Sequence, residues 1–480
     1  MAERSLRDRL VELRRPGATP PAAASGAAAA APPPPELQAP ASLDELEVRL
    51  LGATGDGLPL KERLERLVGA ATARDRARTP PPQRLSEIVR GDRVANERGE
   101  FFQMEHSLHV ESLHGGVSLS RLRSVSPSTV AILAGEPGFE AFELGGSAFL
   151  DTETTGLSGG AGTAAFLVGL GFVDGDAFRV RQYFMEDYDQ EAALLHQLAA
   201  DLRRFPRLVT FNGKMFDVPL LETRYRLSRG RWPLEDAPHL DLLHPARRLW
   251  KARLESCRLV HLETELLRLR REEDIPGDQI PQVYFDYLRS RDARVLPRIF
   301  EHNRLDVVSL AALAVLACQW VESGHVDDPR DAYSLARVFD RAELRERSEA
   351  HYRAAAERGE GAVRVRSLLE IAARSRRAGD LDAAVAHWQA AVDEGSPDAA
   401  RQLAVHLEHR ARDLEAALRV AEQGLALAAD GPMALLQDFL KRRERLKGRI
   451  VRRGAGSGDL GAEKVDDLLD DDGFGEDGGA

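Results

Sequence analysis

Cysteine is nearly absent: Cys257 and Cys318 are the only two in 480 residues. That excludes a disulfide framework and a cysteine-based zinc site, and it suits a reducing compartment. No stretch approaches the roughly 18 apolar residues of a membrane-spanning helix, and the first residues lack the apolar core of a secretory signal. Together these absences predict a cytoplasmic protein with no membrane partner. An excess of positive charge is lacking too, since the formal net charge is −11. The imbalance is local, however. Residues 458–480 hold nine Asp and Glu against Lys464, so this tail supplies −8 and the rest of the chain −3. Bulk charge therefore excludes no partner, nucleic acid included.

What is present is a chain of 480 residues with 43% apolar side chains, longer than one core normally organises, which predicts two or three domains. Residues 1–41 read as a disordered Ala/Pro-rich N-terminus, with Pro32 to Pro35 in a row. Residues 42–90 read as a helical lead-in and 91–141 as a small β-rich lead-in broken by Gly115-Gly116 and Gly135. Apolar runs at Ser147–Leu150, Ala164–Val173 and Phe178–Met185, the last two separated by the turn Asp174-Gly175-Asp176, predict an antiparallel meander. A helix over Asp189–Arg204 follows, with Leu194, Leu195, Leu198 and Leu202 at helical spacing. Then come a strand at Arg207–Phe211, a helix at Phe216–Leu227 and helices around 258–271, 280–290 and 294–320. This order predicts a ribonuclease H-like α/β fold over 142–322, its mixed sheet made of three antiparallel strands and then parallel ones, with flanking helices.

Residues 328–448 are Ala-, Arg- and Glu-rich and helical. His351-Tyr352-Arg353-Ala354-Ala355 is echoed by His387-Trp388-Gln389-Ala390-Ala391, and Asp380-Leu381-Asp382-Ala383-Ala384 by Asp413-Leu414-Glu415-Ala416-Ala417. Periods near 34 residues resemble tetratricopeptide repeats, although only fragments of that pattern (Gly379, Ala386, Pro397) are present and an ordinary helical bundle is the alternative. This region is expected to be separable from the domain before it. Residues 449–480 read as an acidic disordered tail.

The chemistry concentrates in three places. In Phe149-Leu150-Asp151-Thr152-Glu153-Thr154-Thr155-Gly156, two acids two apart on a strand share one face, at the end of a run that belongs in a core. Carboxylates there are costly unless paired or bound to a metal. In Phe211-Asn212-Gly213-Lys214-Met215-Phe216-Asp217, an acid stands just past the next strand; by itself it reads equally well as a helix N-cap. In Glu301-His302-Asn303-Arg304-Leu305-Asp306, His302 and Asp306 are four apart on a helical face that continues through Ser309, Leu310 and Leu313, although an exposed His–Asp pair has the same spacing. Gly160-Ala161-Gly162-Thr163-Ala164-Ala165 fits a dinucleotide-binding pattern, but the strand-like Phe166–Val173 stands where that pattern needs a helix.

In this order Asp151, Glu153, Asp217 and Asp306 resemble the four acids of the DEDD exonuclease superfamily, the DnaQ-like and polymerase-proofreading nucleases. The third motif departs from both branches, since His302 stands four before Asp306 where proofreading domains place Tyr and others place His five before. A closer resemblance covers about 90–320. Asp151–Leu157, Asn212–Pro219, the Leu262–Arg270 segment, Asp274-Ile275-Pro276-Gly277 through Tyr287, and His302-Asn303-x-x-Asp306 look like bacterial ribonuclease H-like domain proteins of the YprB type, in which His-Asn is the usual third motif. Some of those relatives also carry tetratricopeptide-like repeats.

The resemblance implies a 3′–5′ exonuclease with two Mg²⁺ or Mn²⁺ ions. Asp151 would touch both, Glu153, Asp217 and Asp306 would complete the shells, and His302 would orient or deprotonate the attacking water. Eight basic residues over 245–271, with Trp250 among them, suit a phosphate-tracking surface with a stacking side chain. Substrate contacts are expected from Thr152, Thr154, Asn212, Lys214, Trp250 and Arg270. The implied partners are single-stranded DNA or RNA ends and, through the helical repeats, a protein. Endonuclease action stays open, as does a nucleic-acid-binding or scaffold protein that keeps the fold without cleaving.

Overall fold

In the computed structural model the described residues are 81–156 and 162–456, all within the compact unit Pro81–Ala480. The expectations for residues 1–80, for Gly160 and Ala161, and for the tail beyond 456 lie outside them.

Seven strands form one sheet: β1 (Asp92–Asn96), β2 (Gly99–His109), β3 (Ala148–Thr154), β4 (Ala165–Asp174), β5 (Ala177–Phe184), β6 (Leu208–Thr210) and β7 (His239–Asp241), in the order β1-β2-β5-β4-β3-β6-β7. β3, β4 and β5 are the expected antiparallel meander, while β6 and β7 add in parallel. This is the mixed sheet of a ribonuclease H-like fold. The β-rich lead-in does not stand apart from it. β2 pairs antiparallel with β5 from Phe102↔Phe184 to His109↔Ala177, and β1 closes the outer side. Without β2, the backbone donors and acceptors of β5 would be an open edge.

Alternation along β3 divides the molecule, because Ala148 and Leu150 enter one core and Phe149 the other. The first core takes α2 (Glu191–Leu202) through Leu194, Leu195 and Leu198, and α5 (Ile280–Ser290) through Tyr284 and Tyr287. The second takes α1 (Pro127–Ala134), α4 (Leu243–Trp250) and most of α6 (Leu296–Ser323). Between these, α3 (Asp217–Leu227) follows β6. α6 starts in the first core with Leu296, Ile299 and Phe300 and continues in the second with Val307, Val308 and Leu310, so His302 and Asp306 fall where the cores meet. Contrary to the expectation that no stretch is apolar enough for a span, the segment Ala293–Ser323 is, among the described residues, the one helix long and apolar enough to cross a membrane; 67% of its apolar window is buried inside this domain, which accounts for its composition.

Seven helices follow, α7 (Pro329–Arg341), α8 (Arg345–Arg358), α9 (Gly361–Arg377), α10 (Leu381–Asp393), α11 (Pro397–His406), α12 (Leu414–Leu427) and α13 (Met433–Gly456), each packed on the next. One expectation changes here. The last helix continues past 448 to Gly456. At its start the helical region shares packing with the sheet domain: Leu335, Val338 and Phe339 of α7 lie in the second core, and Asp331 forms an ion pair with Arg253 at 2.7 Å.

Candidate nuclease site

The acids stand where β3 leaves the core. Asp151 pairs across the sheet with Gly169, and a Cβ at that glycine would lie 2.4 Å from Asn303 Oδ1. Glycine thus leaves the space through which Asn303 of α6 reaches the strand. Asn303 Nδ2 donates to Asp151 Oδ2 at 2.8 Å, and its Oδ1 accepts from Gln182 Nε2 at 2.9 Å, which sets the direction of the amide.

Asp217 is the first residue of α3 and is buried; Thr152 Oγ1 donates to its Oδ1 at 2.5 Å. The turn before it is held from below. Asp241 at the end of β7 accepts from the backbone N–H groups of Asn212 (2.7 Å), Lys214 (3.0 Å) and Leu243 (3.1 Å). Asn212 has φ 68°, a left-handed conformation that asparagine tolerates.

His302 points its Nε2 at Asp306 Oδ2 (3.5 Å) and Glu153 Oε1 (3.9 Å), while its Nδ1 is 2.8 Å from Asp274 Oδ1. A carboxylate only accepts, so Nδ1 carries a proton toward Asp274 and Nε2 presents its other face to the two acids. The ligand atoms of Glu153, His302 and Asp306 lie within 4.8 Å of one another.

Charge in the site is unbalanced. Burial, then the carboxylates of Asp306, Glu153 and Asp217, push Asp151 well above the usual carboxylate range; the Asn303 bond only partly opposes this. Burial, Asp306 and Asp217 do the same to Glu153. Burial raises Asp217 to about 6 against the bond from Thr152. The cation that reaches this cluster is Arg271, whose side chain is 5% exposed. It grips Glu263 through two bonds of 2.6 and 2.8 Å, extends to Asp274 at 3.4 Å, and bonds Asp306. Burial works against its charge, but Asp306 and Glu263 outweigh that and keep the guanidinium protonated. One guanidinium does not neutralise this many carboxylates. The surplus of hard oxygen donors fits Mg²⁺ or Mn²⁺.

All four acids and His302 thus meet, and Thr152 is in the site as a hydrogen-bond donor to Asp217. The other expected substrate contacts fare differently. Trp250 is fully buried in the second core with its ring edge-on to Trp320, so it stacks on protein and is not available to a base. An apolar position of an amphipathic helix explains it, since the face of α4 that carries Trp250 also carries Ala246 and Leu249. Lys214 pairs with Glu136 at 3.3 Å, and Thr154 Oγ1 donates to the Gly156 carbonyl. Arg270 is exposed and does not line the cleft beside the acids, whereas Asn212 does. Four residues that orient the acids escaped sequence reasoning: Arg271, Asp274, Asn303 and Asp241. Asp274 and Asn303 sit inside recognised motifs and could have been inferred there. Arg271 looked like one more member of a basic run.

Comparison with known proteins agrees with this geometry. Residues 148–318 match the RNase_H_2 family of the RNase H superfamily. The fold and the acid cluster thus define a ribonuclease H-like domain protein, a class that suggests nuclease activity on nucleic acid with divalent metal ions. The chain is also 34% identical over 289 residues to the uncharacterized protein YprB of Bacillus subtilis (strain 168), an alignment spanning 58% of this chain and 69% of that one. It belongs to the YprB family.

Proposed function

We propose that this protein is a metal-dependent nuclease that acts in the cytoplasm and removes nucleotides 3′ to 5′ from single-stranded ends of DNA or RNA. The observation that carries the reading is geometric: the ligand atoms of Glu153, His302 and Asp306 lie within 4.8 Å of one another beside Asp151 and Asp217, with Arg271 as the cation that reaches them, and burial and neighbouring acids push the carboxyls of Asp151, Glu153 and Asp217 up. Asp151 would serve both ions, and Glu153, Asp217 and Asp306 would complete their shells. When bound, two such ions stabilise the attacking and leaving oxygens of an in-line displacement at phosphorus.

The chain's own groups do the rest. His302 takes the proton of the attacking water at Nε2, and Asp274 holds the imidazole in the tautomer that leaves Nε2 free to accept it. Asn303 and Thr152 keep the carboxylates of Asp151 and Asp217 aimed. The helical region, read as tetratricopeptide-like repeats, is the surface we assign to a protein partner.

Incubating the full chain with 5′-labelled single- and double-stranded DNA and RNA, with Mg²⁺ or Mn²⁺ and an EDTA control, tests this. A metal-dependent ladder of products shortened from the 3′ end is expected. Internal cuts would replace exonuclease with endonuclease action, and no cleavage of any substrate with either metal would leave a binding or scaffold protein.

A further inference from the structure

The basic run over 245–271 is not one surface, and its division points to where a strand lies. Three of the eight cations are consumed inside the protein. Arg248 donates to the carbonyls of Leu133 and Ala134, Arg253 pairs with Asp331, and Arg271 holds Glu263 and Asp306. Arg247, Lys251 and Arg258 instead line a cleft of about 720 Å³ whose wall also includes Asp151 and Asp306.

All three cations are exposed. Among the described residues, Arg247 and Arg258 have no ion-pair partner, and the Lys251 ammonium bonds a neutral group, the Glu255 carbonyl, at 2.7 Å. Arg247 and Lys251 are one helical turn apart at the end of α4, so their charges stack along one side of the cleft. Glu255 also lines it, leaving a net of two positive charges beside a strongly negative centre. Phe211 and Asn212 form part of the same wall.

Resting on the nuclease reading above, we infer that Arg247, Lys251 and Arg258 bind successive backbone phosphates of the single strand whose scissile phosphate reaches Asp151 and Asp306. Two features carry this. A row of cations opens directly onto the acids, and these side chains have no competing carboxylate partner among the described residues. The cleft's volume of about 720 Å³ lies in the range of sites that enclose one ligand, about 300–1,000 Å³, enough for a short stretch of strand. Contacts of this kind go to phosphate and carry no base preference.

The test uses the full chain carrying Asp306→Asn to stop cleavage, with fluorescent single-stranded DNA and RNA oligonucleotides and Mg²⁺. Affinity is followed by anisotropy between about 50 and 200 mM salt. The triple substitution Arg247→Gln, Lys251→Gln, Arg258→Gln should flatten the dependence of log K on log salt by roughly 2, since each single-strand phosphate contact contributes about 0.7. The exposed pair Arg268→Gln, Arg270→Gln, outside the cleft, should leave the slope unchanged. In the otherwise native chain the triple variant should raise the KM of cleavage more than it lowers kcat.

If the triple variant keeps the wild-type slope while the Arg268/Arg270 pair loses it, the strand runs elsewhere and this assignment falls, although the nuclease reading stands. If the native chain neither binds nor cleaves any oligonucleotide, both fall together.

Discussion

Two buried clusters of acid in this molecule have opposite electrostatics. In the helical region Glu408, with no side-chain exposure, is ringed by arginines of α13: Arg442 at 2.7 Å, Arg445 at 2.8 Å and Arg449 at 2.9 Å. Burial pushes its pKa up, but the bond and charge of Arg445 and the other cations outweigh that and hold it below the usual range. In the sheet domain Asp151, Glu153 and Asp217 are held above that range, with Arg271 as the cation that reaches their cluster. The chain supplies its own counter-charge where an acid is structural. Where it withholds counter-charge, as around Asp151, Glu153 and Asp217, the acids have the electrostatics that the proposed nuclease mechanism requires.

The largest effect separating the two clusters should come from Asp151→Asn. Cleavage is expected to fall by about 10³-fold or more, because ions in such a site supply several kcal/mol of transition-state stabilisation. The metal-free melting temperature should rise, since a repelling charge is gone. A single-turnover assay beside a melt in EDTA measures both, and a variant that cleaves at the native rate breaks the comparison.

His302→Ala should lower turnover by roughly 10²–10⁴ while calorimetry finds Mn²⁺ affinity near that of the native chain, as suits a proton acceptor. A parallel loss of affinity would make the imbalance one that His302 helps to fill as a ligand.

In the helical region, Glu408→Ala should cost about 1–3 kcal/mol in unfolding free energy, chiefly because the buried Arg442 keeps only Asp438 at 3.7 Å, with cleavage per folded molecule unchanged. Denaturant titration with activity measured alongside would expose any hidden coupling between the two regions.

The smallest effect is with pH. Raised acids keep protons in the folded state that the unfolded chain has already released. Between the ordinary Asp value near 3.8 and about 6, where Asp217 and the buried Asp331 titrate, metal-free stability should therefore fall as pH rises, and the upward shifts of Asp151 and Glu153 act in the same direction. In EDTA the melting temperature should drop between about pH 4.5 and about pH 6.5, by about 2–4 °C for each kcal/mol lost, and Mg²⁺ should recover most of it at the higher pH. A melting temperature that climbs over that interval in EDTA would mean that the acids are already neutralised.

Much of this was legible along the chain because it is local. Alternation in β3 announced a strand with Asp151 and Glu153 on one face, and the four-residue spacing of His302 and Asp306 announced one side of a helix. The joining of β1 and β2 to the main sheet was not legible, because strand pairing at that distance leaves no periodic trace. Trp250 was misread for a related reason: an aromatic among arginines looks like a stacking platform, and only the packing of α4 shows that it is covered.

The sequence by itself determined the order of elements, the place of each acid on its element and the family. These follow from backbone periodicity and from motifs a few residues long. Only the tertiary structure decided which cations meet which acids. Arg271 lies 35 residues from Asp306, on an irregular segment after a single π-helical turn at Glu263–Leu267, and no local rule sends it inward while Arg270 stays exposed. Ion pairing depends on distance in space and on shared burial. Neither quantity exists until the segment has folded back against α6, and from that point Arg271 is committed to Glu263 and Asp306 while Arg247, Lys251 and Arg258 face the cleft.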